Sequence, residues 1–256
     1  MKTTGSIFPL RWTQTLCMLA GVYAIIVIVY LFNEIPKPSS ASDFHAYWYA
    51  GHFLIQGRDP YQAYINEEQP SLPIRYWDGV TTRQYPVAQP ELAMAPAYTP
   101  AVLFPLILFS HFSWKTAKWS FLLLNLILMF LTGWLVLRRV PFGGIRLSPL
   151  DELLVFLLFV DFSATRIAIE NGQITLLVFA LMLITLLTAD FAWPLAGIAL
   201  GFALSKYSLA LPMFLFMLYK RHYRVIFMAV LIQILGVLGV SALSSQSPVT
   251  IILPAF

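Results

Sequence analysis

The chain is dominated by long apolar runs that do not alternate with polar residues. From Trp12 to Phe32, from Asn171 to Ala189 and from Val225 to Leu243 there is no charged side chain. A helix rises 1.5 Å per residue, so about 20 such residues match the hydrocarbon thickness of a bilayer. A spanning β-barrel would show dyad alternation, which these runs lack. Of 256 residues 59% are hydrophobic and only 11% charged, where a soluble domain is about one-quarter charged. The expected fold class is therefore an all-α polytopic membrane protein: a single membrane domain over residues 1–256.

Charge placement orders the runs. The net charge is +4, yet the segment from Glu34 to Glu91 holds four basic residues and seven acids, a local balance of −3. Basic clusters sit between apolar runs instead, at Arg138, Arg139 and Arg146 and at Lys220, Arg221 and Arg224. Such tracts report membrane sidedness and argue against a nucleic-acid partner. The run at residues 12–32 is too long for a signal-peptide core and is taken as the first span, entering from the cytoplasm. Pro36 and Pro38 close it, and residues 34–112 form the first external loop. Keeping the short apolar piece 98–109 at the interface puts the arginines after residue 137 inside. Further spans are expected at 114–137, 150–168, 173–189, 193–206, 207–219 and 225–243, the two short ones forming a tight pair that turns at Lys206.

The first external loop opens with SDFHAYWYAGHFLIQGRDPY, residues 42–61. Asp43 suits the N-cap of a helix over 44–57, which Gly57 would stop. Phe44, Tyr47, Trp48, Gly51 and Leu54–Ile55 fall on one stripe of that helix; His45, Tyr49, His52 and Gln56 fall on another. This pattern fits a helix lying along the membrane surface. The proline-rich segment 59–97 reads as an irregular external loop. On this count Asp43, Arg58, Arg166, Glu170, Asn171, Gln173 and Lys206 converge on one face of the membrane. Cys17 is the single cysteine, so no intramolecular disulfide can form. His45 and His52 lack the clustered ligands of a metal site, and no cofactor is implied.

Several segments, in order, carry a family resemblance: Ser42-Asp43-Phe44; Gly57-Arg58-Asp59-Pro60-Tyr61; Tyr98-Thr99-Pro100-Ala101 through Phe104-Pro105; Trp119 with Leu124-Asn125; Asn171-Gly172-Gln173; and Leu204-Ser205-Lys206-Tyr207-Ser208. Over residues 12–225 the chain resembles glycosyltransferase family 87, membrane mannosyltransferases of the GT-C fold. It departs from the family pattern at Thr99 and Ser208, where prolines are usual, and it is short, the later helices of the family having no counterpart. The resemblance implies a GT-C-like transmembrane bundle with surface helices in the first external loop. It also implies a polyprenyl-phosphate sugar donor, commonly mannose, and inverting transfer to a lipid or glycan acceptor outside the membrane, with a carboxylate in the first external loop as base. Asp43 matches that position.

Transfer from a lipid phosphate needs a base for the acceptor hydroxyl, cations for the leaving phosphate and an apolar groove for the chain. Asp43 is the candidate base, or else simply a helix cap. Lys206, Arg166 and Arg58 are candidates for the donor phosphate; equally, Lys206 can snorkel to the interface and Arg166 can pair with Glu170. His45, Tyr49, His52, Asn171 and Gln173 are candidate substrate contacts, and Asn171-Gly172-Gln173 can be a plain turn. Two rival functions stand beside the enzyme: a secondary transporter using Asp161, Arg166, Glu170 and Lys206, and a non-catalytic or truncated subunit, which the abrupt ending of the apolar stretch Ile251 to Phe256 would suit. The expected location is a multi-pass protein of the bacterial inner membrane with its site on the external face.

Overall fold

The computed structural model describes residues 10–34, 41–60, 75–77, 82–84, 99–139 and 147–249. Ten α-helices are found among them. Helix α1 is Leu10–Glu34 and α2 is Ser42–Ile55. Helix α3 is Leu103–Ile107, flanked by the 3₁₀ turns Pro100–Val102 and Leu108–His111. Then come α4 Trp114–Arg139, α5 Pro149–Asp161, α6 Ser163–Glu170 and α7 Thr175–Thr188. Helices α8 Trp193–Ala203, α9 Tyr207–Tyr219 and α10 Tyr223–Ser244 follow. A six-residue ribbon, β1 Arg75–Trp77 antiparallel to β2 Thr82–Gln84 with Tyr76 opposite Arg83, is the only sheet in the described residues. The irregular loop expected around it, the entry at Tyr98 and the basic Arg146 lie outside the described residues. The protein is an all-α polytopic membrane protein, with four runs among the described residues long and apolar enough to cross: Arg11–Leu31, Trp114–Arg139, Trp193–Tyr219 and Tyr223–Ser244.

The third of these runs is not one straight helix. The backbone breaks at Lys206 (φ −112°, ψ 73°) after a 3₁₀ turn, Leu204–Lys206. Met217, near the end of α9, packs with Ala189, Ala196 and Val225, beside the start of α8. His222 Nε2 lies 3.7 Å from Asp190 Oδ1, joining the residues that precede α8 and follow α9. The two arms are therefore antiparallel, with Lys206 at the tip of the hairpin.

Helices pack in lipid without a hydrophobic drive between them, so close backbone approach and hydrogen bonds decide the partners. Helices α8 and α10 run parallel and meet through glycines. A Cβ on Gly197 would fall 2.4 Å from Met228 Cβ, and one on Gly201 would fall 2.6 Å from Ile232 Cβ. Gln233 Nε2 donates to the Gly201 carbonyl across the same seam.

Three expectations need correction. Residues 150–168 are not one helix: Phe162 is extended (φ −60°, ψ 126°), separating α5 from α6. Ser148 and Asp151 form a reciprocal capping box with Pro149 in the first turn, which sets where α5 begins. Asp43 is not an N-cap. Helix α2 starts two residues earlier, at Ser42, with Ala41 in the left-handed region (φ 60°) as its cap and no side-chain cap bond. Arg166 and Glu170, one turn apart, do not pair, because Glu170 Oε1 accepts from the Tyr30 hydroxyl at 3.1 Å. The apolar stripe of α2 is buried at Phe44, Tyr47, Gly51 and Leu54, while Ile55 remains exposed.

Candidate functional site

The site begins with two helix ends that satisfy each other. A helix leaves its first N–H groups and its last carbonyls without intrahelical partners. Helix α6 closes with a Schellman turn: Gln173 N–H donates to Ala168 O at 2.7 Å and Gly172 N–H to Ile169 O at 3.2 Å. Gly172 takes the left-handed conformation that this turn requires (φ 64°). The carbonyls of Glu170 and Asn171 are left pointing outward. They accept from the start of α2, Ala41 N–H to Glu170 O at 2.8 Å and Asp43 N–H to Asn171 O at 3.0 Å. The Asn171-Gly172-Gln173 motif is thus a turn, and that turn seats Asp43. Gly172 also has to be small, since a Cβ there would fall 2.8 Å from Phe44 Cβ and 3.0 Å from Ala41 Cα.

Gln173 emerges from this turn beside Asp43, where its side chain favours the ionised carboxylate. On its other side Gln173 Oε1 accepts from Thr175 Oγ1 at 3.0 Å and, more loosely, from Lys206 Nζ at 3.5 Å. Lys206 Nζ donates to Thr175 Oγ1 at 2.8 Å. The hairpin tip thereby delivers an ammonium group to the start of α7, where its charge is felt by Asp43. Burial pushes the Asp43 carboxyl above the ordinary carboxylate range; the Gln173 amide, the Lys206 charge and Ser42 pull only part of the way back.

The other predicted residues fall into three groups. His45 lies one turn from the start of α2 in an aromatic nest, its ring edge-on to Trp114 at 4.8 Å and near Trp48 and Tyr49 at 5.6 and 6.0 Å. Burial, helped by His52, lowers its pKa to about 4, so the ring is neutral near pH 7. Its Nε2 is buried without a hydrogen-bond partner. Tyr49 and His52 continue that face toward the far end of α2, with His52 Nδ1 3.1 Å from Trp48 O.

Arg58 is not brought to Asp43. It follows the far end of α2, about 20 Å away at the helical rise, and its guanidinium covers the Phe53 ring at 5.1 Å.

Arg166 stands apart from Lys206 as well. It lies over the Tyr30 ring at 5.4 Å and lines a cavity between α1, α4, α5 and α6.

Sequence reasoning missed three residues. Thr175 bridges Gln173 and Lys206, a role that its bare position in an apolar run did not disclose. Tyr30 separates Arg166 from Glu170. Lys118 is only 7% exposed and borders a small recess with Ala41, Glu170 and Gly172, directly behind the Asp43 seat. Lys115 and Lys118 look alike as flanking lysines of a span, and only packing distinguishes the buried one. Among the described residues no group of three or more His, Cys, Asp or Glu side chains could hold a metal ion.

Residues 97–250, more than half of the chain, match the model of glycosyltransferase family 87. Arg166, Asn171, Gln173 and Lys206 lie inside the matched region, whereas Asp43 and the rest of α2 precede it. No curated protein and no solved structure matches the chain.

Proposed function

This chain belongs to glycosyltransferase family 87, and on that premise we propose that it moves a sugar, mannose first among the candidates, from a polyprenyl phosphate to an acceptor hydroxyl with inversion. Family membership makes it a membrane glycosyltransferase and weighs against the carrier reading. In the proposed step the acceptor oxygen attacks the anomeric carbon as that carbon's bond to the phosphate oxygen breaks. The bonding pair leaves with the phosphate, and the acceptor proton passes to Asp43. A carboxylate made more basic by burial is suited to that proton transfer. Lys206 faces the leaving phosphate and offsets the charge that develops there. Thr175 and Gln173 hold the ammonium group in place, and Gln173 beside Asp43 favours its ionised form.

The observation that carries this reading is a shared neighbour: Gln173 stands beside the proposed base, favouring its ionised form, and its Oε1 lies 3.5 Å from the Nζ of the proposed phosphate cation. The acceptor hydroxyl must approach Asp43 from the side that Gln173 leaves open, where His45 and the aromatic face of α2 begin. The site belongs, on this reading, to the external face, with the basic clusters at Arg138–Arg139 and Lys220–Arg221 inside.

The test is transfer from a radiolabelled polyprenyl-phosphate sugar by the purified protein and by Asp43→Asn. Loss of a general base predicts a fall of about 10²- to 10⁴-fold in turnover with donor binding retained. An Asp43→Asn protein that turns over at the wild-type rate removes Asp43 from the chemistry.

A further inference from the structure

A cavity of about 340 Å³ opens between α1, α4, α5 and α6. Val27, Leu31, Leu126, Met129 and Val160 are among the side chains on its walls, and Arg166 is its one charged lining residue. Arg166 is an expensive residue to place there. Its Nε is buried and has no hydrogen-bond partner, and the nearest compensation is the face of Tyr30. The carboxylate one turn away is engaged by the Tyr30 hydroxyl. A guanidinium at the rim of an apolar cavity, with unused donor capacity, matches an anionic head on a hydrocarbon chain.

The candidate ligand is distinct from the sugar donor. The lining includes neither Asp43, Gln173 nor Lys206. Glu170, which follows Arg166 by one turn, hands its carbonyl to Ala41 and its carboxylate to Tyr30, so an acid stands between Arg166 and the Asp43 seat. A phosphate held by Lys206 beside Thr175 leaves Arg166 without a partner.

We propose that this cavity is a second lipid site, occupied by a hydrocarbon chain of an anionic membrane phospholipid whose phosphate Arg166 binds. The site holds the α1–α5 wall against the α6 turn that seats Asp43. It is independent of the transfer reading, since its occupant is neither consumed nor produced by that reaction.

The test is lipid retention. Wild-type protein, Arg166→Gln, Leu126→Trp, Val160→Trp and Lys206→Ala are purified from membranes and washed in detergent containing equal dioleoyl phosphatidylglycerol and dioleoyl phosphatidylcholine. Retained lipid is then measured by native mass spectrometry. Wild type retains phosphatidylglycerol in preference. Arg166→Gln loses that preference by about tenfold, the scale of one charge-assisted hydrogen bond. The two tryptophan variants fill the cavity and retain neither lipid, and Lys206→Ala retains the wild-type amount. Retention of phosphatidylglycerol by Arg166→Gln at the wild-type level overturns the proposal. So does one-for-one displacement of the phospholipid by a polyprenyl-phosphate sugar, which would give the cavity to the donor. Melting temperatures separate cavity filling from misfolding; should both tryptophan variants fail to fold, the Arg166→Gln comparison decides alone.

Discussion

Asp43 and Asn171 are joined backbone to backbone: the N–H of Asp43 donates to the Asn171 carbonyl across 3.0 Å. That bond ties the first turn of a short helix to the last turn of another, more than a hundred residues later in the chain. The proposed base is thus fixed by main-chain geometry, while its charge is tuned by the next side chain but one, Gln173.

The pH dependence of transfer should follow from this tuning. Burial raises the Asp43 pKa above 3.8, and the base must be ionised to act, so kcat/KM rises with pH through that raised value. Gln173→Leu removes the neighbouring amide that favours the carboxylate, which moves the acid limb of the profile to higher pH. The folding contribution runs the other way: with the folded pKa raised, it is fully present below 3.8 and is lost as pH rises through the folded value. A pH–rate profile of the two proteins checks the shift.

Lys206→Ala should weaken donor binding by about tenfold or more, the loss of one charge-assisted contact to a phosphate, and Lys206→Arg should recover part of it. Equilibrium binding of a polyprenyl-phosphate sugar measures this directly. Thr175→Val should act in the same direction with smaller effect, because it removes the 2.8 Å partner that aims the ammonium group.

Gly172→Ala puts a Cβ into a left-handed residue and against Phe44 and Ala41. A cost of about 1–3 kcal/mol is expected from strain and overpacking. Because relief requires α2 to move off the turn, transfer should fall more steeply than thermal stability. Melting in detergent and turnover at a temperature well below the melting point distinguish the two losses.

His45 titrates in the opposite sense to Asp43. Its pKa falls from 6.5 to about 4 on folding, so its contribution is present above 6.5 and is lost as pH drops toward 4. His45→Phe should therefore lose less stability than wild type over that interval, by on the order of 1–2 kcal/mol for a partly exposed ring. Melting curves of both proteins at neutral pH and near pH 4.5 give the difference. Asp43 is common to both and cancels.

Part of this was readable from residues alone. The apolar runs around Val22, Leu128, Leu183 and Ile234 required helices, since nothing else satisfies a backbone in hydrocarbon. The helix carrying Asp43 was visible in its 3.6-residue stripe. Its cap was not, because Ala41 and Asp43 are capped by carbonyls from a distant turn and no local side chain signals that. The break at Phe162 left no trace either, as neither glycine nor proline marks it.

The candidate site divides along the same line. Sequence singled out Asp43, Gln173, Lys206 and Arg166 as polar residues at the edges of apolar runs, where each needs a partner. It did not separate Lys206 from Arg166, nor remove Arg58, because those distinctions depend on where helices end in space.

The sequence by itself determined that the chain is a membrane-embedded helical protein, because periodicity and transfer energy are properties of neighbouring residues. The tertiary structure alone decided that Lys206 stands at a hairpin tip beside Thr175 and Gln173, while Arg166 faces a different cavity over Tyr30. Those relations arise from glycine seams and mutually capped helix ends, contacts between residues far apart in the chain, and no local pattern encodes them.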